Sequence, residues 1–150
     1  MSTLVIDASV AVKWVVEESD TAEALALRSQ HRLIAPDLLV AECANILWKK
    51  VRRNELQEPE AMVAARLLQA AEIELLPSRS HIEEATRMAV ELEHPAYDCI
   101  YLAVAAEQGC AFVTADERLV KKIEGSAGTA SVPVLALREA GAKLKREKAQ

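Results

Sequence analysis

Five short apolar runs, spaced along the chain with room for a helix between each pair, constrain this sequence most. They are Thr3–Ile6, Leu33–Ala35, Ile73–Leu76, Ala111–Val113 and Val132–Leu135. Each is too short for a helix, and most are rich in Val, Ile or Leu, so each reads as a buried strand. The segments between them carry helical spacing and helix punctuation. Pro36 and Asp37 precede a long helix over 38–53, and Pro59 suits the first turn of one running to 71. The series Ser80, His81, Ile82, Glu83 predicts a capping box for a helix reaching 93, and Gly109 stops a helix over 97–108. Ser9 is the expected cap of a helix over 10–16, and Ser19 and Asp20 open another reaching 28. A further helix starts at Asp116 and runs to 123, followed by a loop over 125–128. Strands alternating with helices predict an α/β domain of three layers, α/β/α. Its central sheet is mainly parallel, with about four or five strands.

In such a sheet, ligands bind beyond the carboxyl ends of the strands. That rule singles out Asp7, directly after the first run, and Asp116, three residues after Val113. Glu42 in the second turn of the long helix and Asp98 in the first turn of its own helix complete a set of four acids. A carboxylate at a helix N-terminus has a plain explanation in the macrodipole, which covers Asp98 and Asp116 taken singly, and Glu42 alone suits a solvated helix face. Asp7 is harder to explain so, because a charge closing a buried strand needs a partner. Four converging carboxylates repel one another and take up protons unless a cation lies between them. An oxygen-only donor set suits Mg²⁺ or Mn²⁺, and a pair of such ions clamps the oxygens of an in-line phosphodiester displacement. Ser9, Asn45 and Thr114 stand two or three residues from three of these acids and are the expected supporting polar groups.

Bulk properties narrow the function. The 150 residues suit one domain, and a net charge of -5 argues against a protein that coats nucleic acid by charge alone. Basic residues nevertheless cluster at Lys49, Lys50, Arg52 and Arg53, at Arg118, Lys121 and Lys122, and in the tail from Lys143 to Lys148. The three cysteines have no C-x-x-C spacing, and no histidine pairs with them at zinc-ligand spacing, so they read as buried apolar side chains. No basic leader or long apolar span is seen, so the expected compartment is the cytoplasm, without a membrane segment. The glycines form no phosphate-binding loop, and Ser9 stands where a haloacid-dehalogenase phosphotransferase places its second Asp. Trp14 and Trp48 are read as core or as an interface, and the Ala-, Leu- and Val-rich helices over 37–71 as a groove for a partner helix.

Four stretches together resemble a PIN domain: Val5-Ile6-Asp7-Ala8-Ser9-Val10, Ala35 to Asn45 with its Glu42-x-x-Asn45, Tyr97 to Ala105 around Asp98, and Phe112 to Leu119 around Thr114 and Asp116. They occur in the family's order and cover roughly residues 3–135. The short chain is similar to the VapC toxins of toxin–antitoxin pairs. That resemblance implies a PIN-like fold over 1–138, with 139–150 as a basic tail that is a frayed helix or disordered. It implies an Mg²⁺-dependent endoribonuclease, with Mn²⁺ as a substitute, in which Asp7, Glu42, Asp98 and Asp116 are the catalytic and metal-binding acids. It also implies RNA as substrate (tRNA or another structured RNA), a homodimer, and inhibition by a small VapB-type antitoxin through which DNA is contacted indirectly. The rival reading is a PIN-fold binding module, mainly antitoxin partner and operon corepressor, with little nuclease activity.

Overall fold

The computed structural model describes residues 2–126 and 132–149. Its first strand, β1 (Thr3–Ile6), buries Leu4, Val5 and Ile6 almost completely. It is followed by a four-residue helix α1 (Ala8–Ala11), a 3₁₀ turn over Val12–Trp14, and α2 (Thr21–Gln30). Then come β2 (Arg32–Pro36), α3 (Leu38–Arg52), α4 (Glu58–Gln69), β3 (Glu74–Leu76), a second 3₁₀ turn (Arg79–His81) and α5 (Ile82–Leu92). The chain continues through α6 (Ala96–Gln108), β4 (Ala111–Thr114), α7 (Glu117–Glu124), β5 (Val134–Ala136) and α8 (Leu137–Ala149).

The five strands form one sheet in the order β3-β2-β1-β4-β5, and every neighbouring pair is parallel. Helices cover the sheet: α6 packs across β1, β2 and β4, α3 lies on β2, and α8 lies on β4 and β5. This is the three-layer α/β fold expected from the alternating runs. The order reverses at the centre, where β1 meets β2 on one side and β4 on the other. The carboxyl ends of β1 and β4 therefore splay apart and open the crevice where such folds bind ligands.

Several local expectations change. Asp7, not Ser9, caps α1: Val10 N–H donates to its Oδ1 at 3.4 Å, and the backbone is already helical at Ala8. No capping box forms at Ser80, because the 3₁₀ turn displaces the helix start to Ile82 and the Ser80 hydroxyl donates back to Pro77 O at 3.4 Å. A box instead opens α4, where Gln57 N–H donates to the Glu60 carboxylate at 2.9 Å. The loop foreseen over 125–128 lies partly outside the described residues, and the last strand starts at Val134 rather than Val132. The basic tail is helical through Ala149, because Leu137, Ala140 and Leu144 form a buried stripe and α8 docks on α2. Trp14 is core, with its indole N–H donating to Ala24 O at 3.0 Å. Trp48 is half-exposed under the Arg52 guanidinium, 4.6 Å from the ring centroid.

Candidate active site

Asp7 lies at the bottom of the β1/β4 crevice and is only 7% exposed. Three groups satisfy its carboxylate. Ser9 Oγ donates to Oδ1 at 2.5 Å, Thr114 Oγ1 donates to Oδ2 at 2.6 Å, and Val10 N–H supplies the cap bond. The two hydroxyls are themselves held by backbone across the crevice: Ala115 N–H donates to Ser9 Oγ at 3.0 Å and Asp116 N–H to Thr114 Oγ1 at 3.1 Å. A local network thus ties the end of β1 to the end of β4. A fully satisfied network of this kind fixes its members' rotamers.

The charge on Asp7 is nevertheless unwelcome in the protein alone. Burial raises its pKa to about 6; the Ser9 and Thr114 bonds oppose that rise, and the nearby Asp98 and Glu42 carboxylates add to it. Glu42 is also raised, first by burial and then by Asp98, although the Tyr101 hydroxyl donating to its Oε1 at 2.5 Å pulls the other way. Asp7, Glu42 and Asp98 are thus within electrostatic reach of one another, on β1, α3 and α6. Asp116 stands apart. It is exposed and its Oδ1 is the N-cap of α7, accepting from Arg118 N–H at 3.1 Å and Leu119 N–H at 3.2 Å. Its link to the others runs through its own backbone N–H and Thr114. Asn45 is exposed one turn beyond Glu42 and makes no side-chain hydrogen bond among the described residues.

Three supporting residues escaped sequence reasoning. Tyr101 is wholly buried, stacks on Phe112 with centroids 5.7 Å apart, and aims its hydroxyl at Glu42. Its spacing from Asp98, three residues along one helix, was the available signal. His94 contacts Asp98 Oδ2 through Nε2 at 2.6 Å, and Lys122 reaches the other ring nitrogen at 3.2 Å. The cysteines are free thiols, and burial pushes Cys43 up to about 12 and Cys99 up to about 11.

The donor chemistry fits a hard divalent cation. Every candidate ligand is a carboxylate oxygen, and the buried one bears a proton at mildly acid pH that a cation would replace. Among the described residues no three such groups are drawn into a ready-made ligand cluster. Asp7, Glu42 and Asp98 sense one another's charge from three separate elements without forming a closed cage, which suits a Mg²⁺ ion that keeps most of its water.

The PIN domain family model matches residues 4–125. This chain belongs to the PIN domain family. It is 33% identical over 123 residues to Ribonuclease VapC3 of Pyrobaculum aerophilum, an alignment covering 79% of this chain and 93% of that one, and this makes it a PIN domain of the VapC type. Two solved structures share the fold. PAE2754 of Pyrobaculum aerophilum superposes with a TM-score of 0.65 at 23% identity, covering 99% of this chain and 91% of its own. VapC20 of Mycobacterium tuberculosis, a toxin that cleaves the sarcin–ricin loop, superposes with a TM-score of 0.61 at 14% identity, covering 83% and 96%.

The PIN domain also carries an apolar groove of about 440 Å³ between α3, α4 and β3. It is lined by Trp14, Leu39, Val40, Cys43, Leu47 and Leu68, with others from α4 and β3. Of its lining, Val40 is 60% and Leu75 39% exposed.

Proposed function

We propose that this chain is a metal-dependent endoribonuclease toxin that hydrolyses RNA phosphodiester bonds at the Asp7 crevice and is silenced by a small antitoxin. The observation that carries this reading is Asp7. A carboxylate closing a buried strand, held by two hydroxyls and raised to about 6 by burial and two neighbouring acids, carries its charge at a cost that a cation would relieve. The relationship to Ribonuclease VapC3 supplies the reaction class.

In this reading Asp7, Glu42, Asp98 and Asp116 hold Mg²⁺, or Mn²⁺ in its place. The ion supplies an activated water and charge neutralisation at the phosphate. The protein's own part is orientation. Ser9 and Thr114 fix both oxygens of Asp7, Tyr101 fixes Glu42, and Asn45 stands free on the open side of α3 to meet the substrate. RNA is gripped by its phosphates rather than by base stacking, since aromatic residues are 3% of the chain and only Trp48 and Tyr97 are exposed among the described ones.

The apolar groove beside α3 and α4 suits the docking of a VapB-type antitoxin helix. The same groove favours the second reading, a binding module with little nuclease activity. A homodimer, cytoplasmic residence and contact with DNA only through the antitoxin belong to both.

Antitoxin-free protein incubated with total RNA and with purified tRNA, plus Mg²⁺ or Mn²⁺, tests the proposal. An EDTA control and Asp98→Asn run beside it. Discrete cleavage lost in both controls is the expected result. Cleavage that survives in the variant refutes the assignment of Asp98, and folded, metal-loaded protein that cuts no RNA favours the binding module.

A further inference from the structure

His94 lies between two backbone constraints. Glu93 before it adopts a left-handed φ of 52°, unusual for a residue with a side chain, and Pro95 after it restricts its own backbone to extended conformations. His94 N–H closes the end of α5 on Ala89 O at 3.1 Å. Its ring is therefore delivered to a fixed place at the start of α6. There Nε2 lies 2.6 Å from Asp98 Oδ2, while Asp98 Oδ1 takes no hydrogen bond among the described residues.

Lys122, on α7, makes two bonds to this turn. Its ammonium donates to Glu93 O at 3.0 Å and to His94 Nδ1 at 3.2 Å. An ammonium has no lone pair, so Nδ1 must accept, and the proton of a neutral ring must be on Nε2, facing Asp98. One helix therefore joins two of the acids: α7 starts at Asp116, and its Lys122 holds the ring that holds Asp98.

We propose that His94 and Lys122 are positioning residues for Asp98. Lys122 sets the tautomer and seat of the His94 ring, and the ring fixes Asp98 Oδ2 so that Oδ1 is left as the ligand oxygen. This rests on the reading of the acid site as a divalent-cation site. Hydrogen-bonded partners of a ligand carboxylate characteristically change metal affinity by about 10- to 100-fold when removed.

The test combines two readouts on the full chain. Nitrogen-15 NMR of the histidine rings in metal-free wild type reports the tautomer directly; His94 should carry its proton on Nε2, and Lys122→Met should populate the Nδ1 form. A wild-type ring protonated on Nδ1 overturns the proposal without any variant. Calorimetric titration with Mn²⁺ then compares wild type, His94→Ala and His94→Gln, each checked for folding by its thermal melt. His94→Ala should bind about tenfold or more weakly, while His94→Gln, whose amide N–H can reach the same oxygen, should recover most of the affinity. Wild-type affinity in His94→Ala overturns the positioning role and leaves the acid site standing. A wild type that binds no Mn²⁺ overturns the acid site and the positioning role together.

Discussion

The β1/β4 crevice and the α3/α4 groove are both expensive places for a protein to keep, and for opposite reasons. In the crevice, charge is buried: Asp7 is almost wholly enclosed and leans on Ser9 and Thr114. In the groove, apolar surface is left wet: Val40 and Leu75 line a cleft of about 440 Å³ and remain well exposed. Folding alone selects neither arrangement, since burial of charge and exposure of hydrocarbon both cost free energy. The contrast separates two kinds of cost in one domain. One region holds a buried charge among side chains locked by hydrogen bonds; the other leaves hydrocarbon exposed, with no hydrogen bonds to lock it.

The comparison is broken most forcefully by removing the buried charge. Asp7→Ala should reduce RNA cleavage to the level of an EDTA control, whereas Val40→Glu in the groove should leave cleavage by antitoxin-free protein unchanged. A gel assay with both variants reads this; equal losses would mean that the two regions are not separate. Next comes the pH dependence of metal-free stability. Asp7 has a raised pKa in the folded chain, so its contribution is full below about pH 4 and is lost as pH rises through about 6. Raising the carboxyl from 3.8 to about 6 corresponds to about 3 kcal/mol at full ionisation. Denaturant melts of wild type and Asp7→Asn should therefore diverge in the variant's favour between pH 4 and 7, and Mn²⁺ should close the gap. Parallel curves would show that the charge costs nothing.

A smaller effect sharpens the account of the network. Thr114→Val keeps shape but removes a donor to Asp7 and strands Asp116 N–H, so it should cost about 1–3 kcal/mol in a urea melt. Thr114→Ser should cost less than half as much. Smallest of all, Val40→Glu should shift stability by only about 0.5 kcal/mol or less, because the site is exposed. The same variant should abolish capture of a co-expressed VapB-type antitoxin, which a pull-down would show.

Much of the frame was legible because its signals are local. β1 and β4 announce themselves as β-branched or aromatic runs closed by polar residues, Gly109 ends α6 at φ 63°, and Asp116 caps α7 as its position suggests. The placement of Asp7 and Asp116 at the carboxyl ends of neighbouring strands followed from the rule for parallel sheets. What stayed hidden depends on contacts between distant segments or on thin patterns. Tyr101 meets Glu42 across 59 residues, and its three-residue spacing from Asp98 was a hint too thin to name Glu42 as its partner. His94 was weighed only against cysteines as a zinc ligand, while its partners are a carboxylate and a lysine. Ser80 has the right neighbours for a cap, yet the turn after Pro77 uses it otherwise. The tail is too charged to look structured, and only the three-residue stripe of Leu137, Ala140 and Leu144 holds it down.

The bond from Thr114 to Asp7 spans 107 positions of the chain. A ribosome synthesises β1 long before β4, and pairing between such remote strands waits for both. Until then Asp7 ends a strand that has only β2 beside it, and Asp98 and Asp116 have not joined it. The crevice therefore cannot assemble before β4 is made, and whatever it does waits for that pairing. Strand order acts here as a timer, giving a protein made beside RNA a built-in delay.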